Sequence, residues 1–151
     1  MQIGIPAESR AGEHRVAATP ETVKKLAAKH TMLVQAGAGI AASVPDSEFQ
    51  AAGATIVASA AELYAKADIV LKVRGPEASE LASLKRGAIV IGLLNPFDAA
   101  GIDALAKSGA TGFAMEWLPR ITRAQSMDVL SSQANLAGYR AVIEGAELYG
   151  R

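Results

Sequence analysis

Short apolar runs of strand character alternate with helix-length segments through the first two-thirds of this sequence, and that alternation restricts the fold more than any other feature. Ile3-Gly4-Ile5 opens the series, followed by residues 32–34, 55–57, 68–73, 88–94 and 111–115. Between them, Thr19 is a good N-cap ahead of Pro20, and Val23, Leu26 and Ala27 form an apolar stripe. Residues 46–52, 60–65, 77–84 and 99–107 also read as helices. Near-continuous apolar strands separated by amphipathic helices require a parallel sheet covered on both faces. The 32 alanines suit that packing, because small side chains let helices lie close to a sheet. The fold class is therefore α/β: a three-layer, mostly parallel sheet with flavodoxin- or Rossmann-like layering, extended by a long C-terminal helix.

Charge and residue usage exclude several functions. Fifteen Lys and Arg balance fifteen Asp and Glu, and the basic stretches Lys24-Lys25 and 120–123 are short and separate. A nucleic-acid partner, which needs a basic face to neutralise phosphates, is not expected. Without cysteine there is neither a disulfide scaffold nor a thiol nucleophile. With only His14 and His30, and no ligand spacing around them, no metal site is expected. The start, MQIGIPAESR, lacks the pattern of a signal peptide, and the longest strongly apolar run, 87–94, is far short of the ~20 residues that span a bilayer. A soluble, cytoplasmic chain is expected.

Candidate binding residues are few. Gly37-Ala38-Gly39-Ile40-Ala41-Ala42 matches a dinucleotide fingerprint, but Pro45 follows too soon for a crossover helix, so a glycine turn is expected. Arg15 stands in the loop before the first helix, where it could bind a carboxylate or pair with Glu8 or Glu13. Lys72 interrupts an apolar strand near its end, so it needs a partner or belongs to a site. His14 and His30 read as a loop residue and a helix-end residue. The last third is the least ordinary part. A polar loop, RITRAQS, precedes a helix in which Met127, Leu130, Ala134, Ala137, Ala141, Gly145 and Leu148 share one face. Asp128, Ser131 and Asn135 step along a neighbouring face. Arg120, Arg123, Gln125 and Asp128 thus gather guanidinium, amide and carboxylate at a helix entrance, where Ser126 or Asp128 is the expected cap.

Three segments carry a resemblance: IGIPAESRAGEHRVAATPETV, ADIVLKVRGP and, above all, PRITRAQSMDVLSSQANLAGYRAVIEGA. They resemble the N-terminal region of proton-translocating NAD(P) transhydrogenase alpha subunits, in a family that also contains alanine dehydrogenases. The resemblance runs from end to end. It implies a division into an α/β subdomain, residues 1–125, and a helix, 126–151, leading to a separate Rossmann subdomain that binds NAD(H). It also implies that the chain alone is inactive and binds NAD(H) weakly or not at all. Arg120, Asp128 and Ser131 correspond to positions that orient the nicotinamide carboxamide and ribose. Gln125 corresponds to one reaching toward NADP(H) on a partner domain of the beta subunit, and Gln125 and Asp128 are the catalytic candidates. Membrane subunits and a second copy of the chain are the further partners implied. Arg15 and Lys72 match positions that hold the keto-acid substrate in alanine dehydrogenases. Those enzymes also use a catalytic His that aligns with Leu94 here, a departure that argues against alanine dehydrogenase activity. Besides that alternative, a non-catalytic flavodoxin-like interaction domain remains open.

Overall fold

The computed structural model describes residues 1–150. The chain forms two compact units, Met1–Ala114 and Met115–Arg151, so the polar loop after Pro119 groups with the C-terminal helix.

The first unit is built on a six-stranded sheet of β1 (Gln2–Ile5), β2 (Thr31–Gln35), β3 (Ala54–Val57), β4 (Ile69–Arg74), β5 (Ile89–Leu93) and β6 (Thr111–Ala114). Every pairing is parallel and the order is β3-β2-β1-β4-β5-β6. The connecting helices are α1 (Pro20–Ala27), α2 (Asp46–Ala51), α3 (Ala60–Lys66), α4 (Ala78–Leu81) and α5 (Ala99–Lys107). The order is Rossmann-type and reverses direction between β1 and β4, the point at which such sheets open a crevice beyond their strand ends.

Side-chain alternation along the strands divides the core into two layers. On one face Met32 and Val34 of β2 and Ile3 and Ile5 of β1 pack with Val23 of α1 and Phe49 of α2. On the other, Leu33, Val70 and Val90 pack with Leu63, Tyr64 and Ala67 around α3, and with Leu105 of α5. Gly4 is where α3 crosses the central strand. A Cβ there would lie 2.6 Å from Leu63 and 2.9 Å from Ala67, so the helix and strand approach this closely only without a side chain between them.

The local signals in the sequence account for most boundaries. Thr19 caps α1, its hydroxyl accepting from the Thr22 N–H. Ser59 caps α3 in the same way. The helix expected over 77–84 is shorter: α4 has four residues and continues only as tight turns, with Ser83 and Leu84 N–H donating to carbonyls three residues back. Gly37-Ala38-Gly39 forms a closed turn. The Gly37 N–H donates to the Asp46 carboxylate at 2.9 Å, and a 3-10 turn at Ile40–Ala42 ends at left-handed Ser43. The helix N-terminus that a pyrophosphate would need is absent from that turn.

The second unit contains 3-10 turns at Met115–Trp117 and Thr122–Met127 and the helix α6 (Val129–Tyr149). Asp128, rather than Ser126, is the N-cap of α6. Leu136, Tyr139, Val142 and Leu148 are exposed along this helix. No helix among the described residues is long and apolar enough to cross a membrane.

Candidate functional site

Two groups of polar side chains stand out, one in each unit. The first lies at the C-terminal ends of β1 and β4, at the reversal of strand order. Lys72 points from β4 to the α3–α4 side and its side chain is fully buried. Its ammonium donates to both oxygens of Glu80, at 2.8 and 3.0 Å, and lies 4.0 Å from Glu8. The hydroxyl of buried Tyr64 donates to Glu80 Oε1 at 2.7 Å. Glu8 in turn accepts from the N–H groups of Val73 (2.7 Å) and Arg74 (3.1 Å), binding the chain after β1 to the end of β4. Gly92 of β5 belongs to the same construction, since a Cβ there would meet the Lys72 carbonyl oxygen at 2.3 Å.

Arg15 is held beside this group by Glu13, with a side-chain contact of 2.6 Å, and Arg74 contacts the same carboxylate at 3.2 Å. Of the two acids considered for Arg15, Glu13 is the one that reaches it. The hydrogen bonds from Arg15, with a smaller contribution from Arg74, hold the Glu13 carboxyl at about 2, against an ordinary 4.5. Burial pushes Glu80 up, but its hydrogen bonds from Lys72 and Tyr64 outweigh that and keep it below the ordinary carboxylate range. Tyr64 is pushed well above the usual phenol range by burial and by the Glu80 charge. A charged Lys72 among these carboxylates satisfies the need that its place in an apolar strand created.

The second group occupies the entrance to α6. Asp128 accepts from the Ser131 N–H at 3.0 Å and from the Ser131 hydroxyl at 2.7 Å. Those two bonds, then the positive charge of Arg120, hold its carboxyl below the ordinary range. Arg120, Gln125 and Ser131 are exposed. Of the four residues expected to act together in this segment, Asp128 and Ser131 are in direct contact, and Arg120 is close enough to act on Asp128 through its charge. The Gln125 carbonyl accepts the Asp128 N–H at 3.3 Å, closing the 3-10 turn.

Each Asp128 oxygen keeps capacity for a further hydrogen bond after binding Ser131. The segment therefore offers a carboxylate and hydroxyls that accept, a guanidinium that donates and an amide that does both. Such a set fits a ligand carrying a carboxamide and sugar hydroxyls. Among the described residues no cluster of His, Asp and Glu is arranged to hold a metal ion.

Sequence reasoning finds Lys72 and Arg15 but misses Glu80, Tyr64 and Glu8. In the sequence Glu80 is simply one residue of a helix, and Tyr64 an apolar position. Their convergence on Lys72 is set by strand order rather than by a local pattern. His14 is exposed in the loop after β1, and His30 leads into β2 at the opposite end of the strands. Leu94 follows β5 and packs against the inner core layer.

A wholly parallel sheet in this order, with its crevice between β1 and β4, makes the chain a doubly wound α/β domain of Rossmann topology. Residues 4–137 match the family described as alanine dehydrogenase/PNT, N-terminal domain. The chain belongs to that family. It is 48% identical to the first of the separate polypeptides that make up the NAD(P) transhydrogenase alpha subunit of Rhodospirillum rubrum, over the whole of this chain and 41% of that protein. It is 38% identical to the alanine dehydrogenase of Mycobacterium tuberculosis, over 97% of this chain and 39% of that enzyme. Among solved structures, the transhydrogenase from Sinorhizobium meliloti superposes with a TM-score of 0.95 at 49% identity, covering all of this chain and 46% of that one. The chain thus spans less than half the length of the relatives it matches.

Proposed function

We propose that this chain is the N-terminal region of the alpha subunit of a proton-translocating NAD(P) transhydrogenase. On this reading it helps position the nicotinamides of NADH and NADP+ for direct hydride transfer. Its likeness to transhydrogenases over its full length supports the reading. The observation that carries it is Leu94, an aliphatic side chain committed to core packing at the position where the family's amino-acid dehydrogenases align a catalytic imidazole. Neither histidine stands near it in the sequence. A site without an acid–base group suits a transfer in which the protein's contribution is orientation.

The hydride chemistry resides in the nicotinamides themselves. In this reading Arg120 donates to the carboxamide oxygen, while Asp128, steadied by Ser131, accepts from the amide or ribose hydroxyls. Gln125, exposed on the turn before the helix, reaches toward the second nucleotide. NAD(H) is held mainly by a Rossmann subdomain of the same subunit, and NADP(H) by the beta subunit. The assembly faces the cytoplasm and attaches to the inner membrane through other subunits. The exposed apolar side chains of α6 are available to the adjoining subdomain or to a second copy in a homodimer. The chain alone is inactive.

The test uses the assembled enzyme. Gln125→Asn withdraws the amide by one methylene, and single-turnover hydride transfer should slow by up to about 10²-fold, the effect of a ~1 Å misplacement. NADH affinity should be nearly unaltered. An unchanged single-turnover rate would overturn the assignment of Gln125, and alanine-dependent NADH formation would overturn the reading as a whole.

A further inference from the structure

The Glu80 carboxylate is surrounded in a way that an ordinary ion pair is not. Five hydrogen bonds reach it from four donors on four separate segments. Oε1 accepts from Lys72 Nζ at 2.8 Å and from the Tyr64 hydroxyl at 2.7 Å. Oε2 accepts from Lys72 Nζ at 3.0 Å, the Ser9 hydroxyl at 3.1 Å and the Glu77 N–H at 2.7 Å. Ser9 comes from the loop after β1, Tyr64 from α3, Lys72 from β4 and Glu77 from the approach to α4. A carboxylate has about four acceptor sites, so this one is saturated. Lys72 and Tyr64 have no exposed side-chain surface to satisfy them by water instead.

The position is as informative as the chemistry. Sheets with this strand order bind ligands in the crevice where the order reverses, beyond the strand ends. Here that crevice lies between β1 and β4, and Lys72 and Ser9 stand at its two sides. We propose that these donors form a carboxylate receptor whose occupant is the chain's own Glu80, so that the crevice is closed to free carboxylic acids. The ligand class it would take without Glu80 is a small monocarboxylate such as acetate or formate. A tethered carboxylate competes at an effective concentration from the millimolar range upward, which keeps a dilute external acid out of the native protein. The inference concerns the first unit alone and is independent of the nucleotide reading.

Removing the occupant while leaving the receptor tests this. Glu80→Ala strands a buried ammonium and phenol, and its melting midpoint in chloride should fall by roughly 10 °C. Replacing chloride by acetate at equal ionic strength should raise that midpoint progressively with concentration, because a ligand bound only by the folded state stabilises it. The unaltered chain and Glu80→Gln, whose amide still fills the receptor, should melt identically in either anion. Equal melting of Glu80→Ala in both anions, or an acetate response in Glu80→Gln, would overturn the proposal. Should Glu80→Ala be unfolded in chloride, its refolding yield is compared instead: recovery specific to acetate supports the receptor, and equal yields refute it.

Discussion

In the sheet unit Lys72, Arg15 and Arg74 each have a carboxylate within 3.2 Å, supplied by Glu80 or Glu13. In the helical unit Arg120, Gln125 and Ser131 are exposed around one carboxylate, Asp128, which is bound only by the first turn of its own helix. Both groups stand out in the sequence for the same reason, polar side chains at the border of an apolar element. The difference between them is what the surrounding fold does with their hydrogen-bonding capacity. Buried donors have to be satisfied from within, and the reversal between β1 and β4 brings the acids that do so. Exposed donors are satisfied by water, which a ligand can displace. Polar residues in the first unit therefore hold the fold, and those in the second remain available for binding.

Mutation offers a direct way to break this contrast. The largest effect is expected for Lys72→Ala, which leaves Glu80 buried without its cation. Chemical denaturation should show a loss of about 3–5 kcal/mol. A double replacement, Lys72→Met with Glu80→Leu, should recover much of that loss, since neither charge is then stranded. If Lys72→Ala were neutral, the first group would not be structural. In the second unit the effect should fall on binding instead. Arg120→Ala in the assembled enzyme should weaken NADH by about tenfold, the worth of one charged hydrogen bond, and leave the melting curve of the chain in place. A fall in melting temperature without a change in NADH affinity would reverse the contrast.

A smaller effect concerns acid stability. Glu13 titrates at about 2 in the folded chain, against an ordinary 4.5. A carboxyl lowered on folding contributes stability that is fully present above its unfolded value and is lost as pH falls through its folded one. Its contribution should thus fade between pH 4.5 and about 2. The shift alone corresponds to roughly 3 kcal/mol, and the partly exposed arginines reduce that to about 1–2 kcal/mol. Glu13→Gln should flatten this part of the stability–pH curve, which denaturation at a series of pH values measures. The smallest effect is expected at the cap of α6. Asp128→Ala removes both bonds to Ser131, and amide exchange at Ser131 should quicken by about fivefold, with exchange in the sheet unchanged.

How far the sequence can be read differs between elements for physical reasons. All six strands and the capped helices α1 and α3 are legible because alternation, Thr19 and Ser59 act within a few residues. The glycine turn at Gly37 is separable from a dinucleotide fingerprint because Pro45 limits any helix that follows. The segment over 77–84 is where local pattern overreaches. Its residues suit a helix, yet Glu80 is drawn into the receptor, and the chain past Leu81 turns instead so that the Lys85 N–H meets the Tyr64 carbonyl. Asp128 and Ser131 are recognisable together because a helix places residues three apart on one side.

By itself, then, the sequence determined the parallel α/β architecture, the helix entrance with its polar side chains and membership of its family, since each rests on local periodicity or on a contiguous motif. It also determined that Lys72 required an answer. Only the tertiary structure decided what the answer was. Ser9, Tyr64 and Glu80 lie far from one another along the chain, and nothing in their spacing relates them. They meet because β4 lies beside β1 while α3 and α4 cover the same face, and hydrogen bonds between distant segments are specified by that neighbourhood.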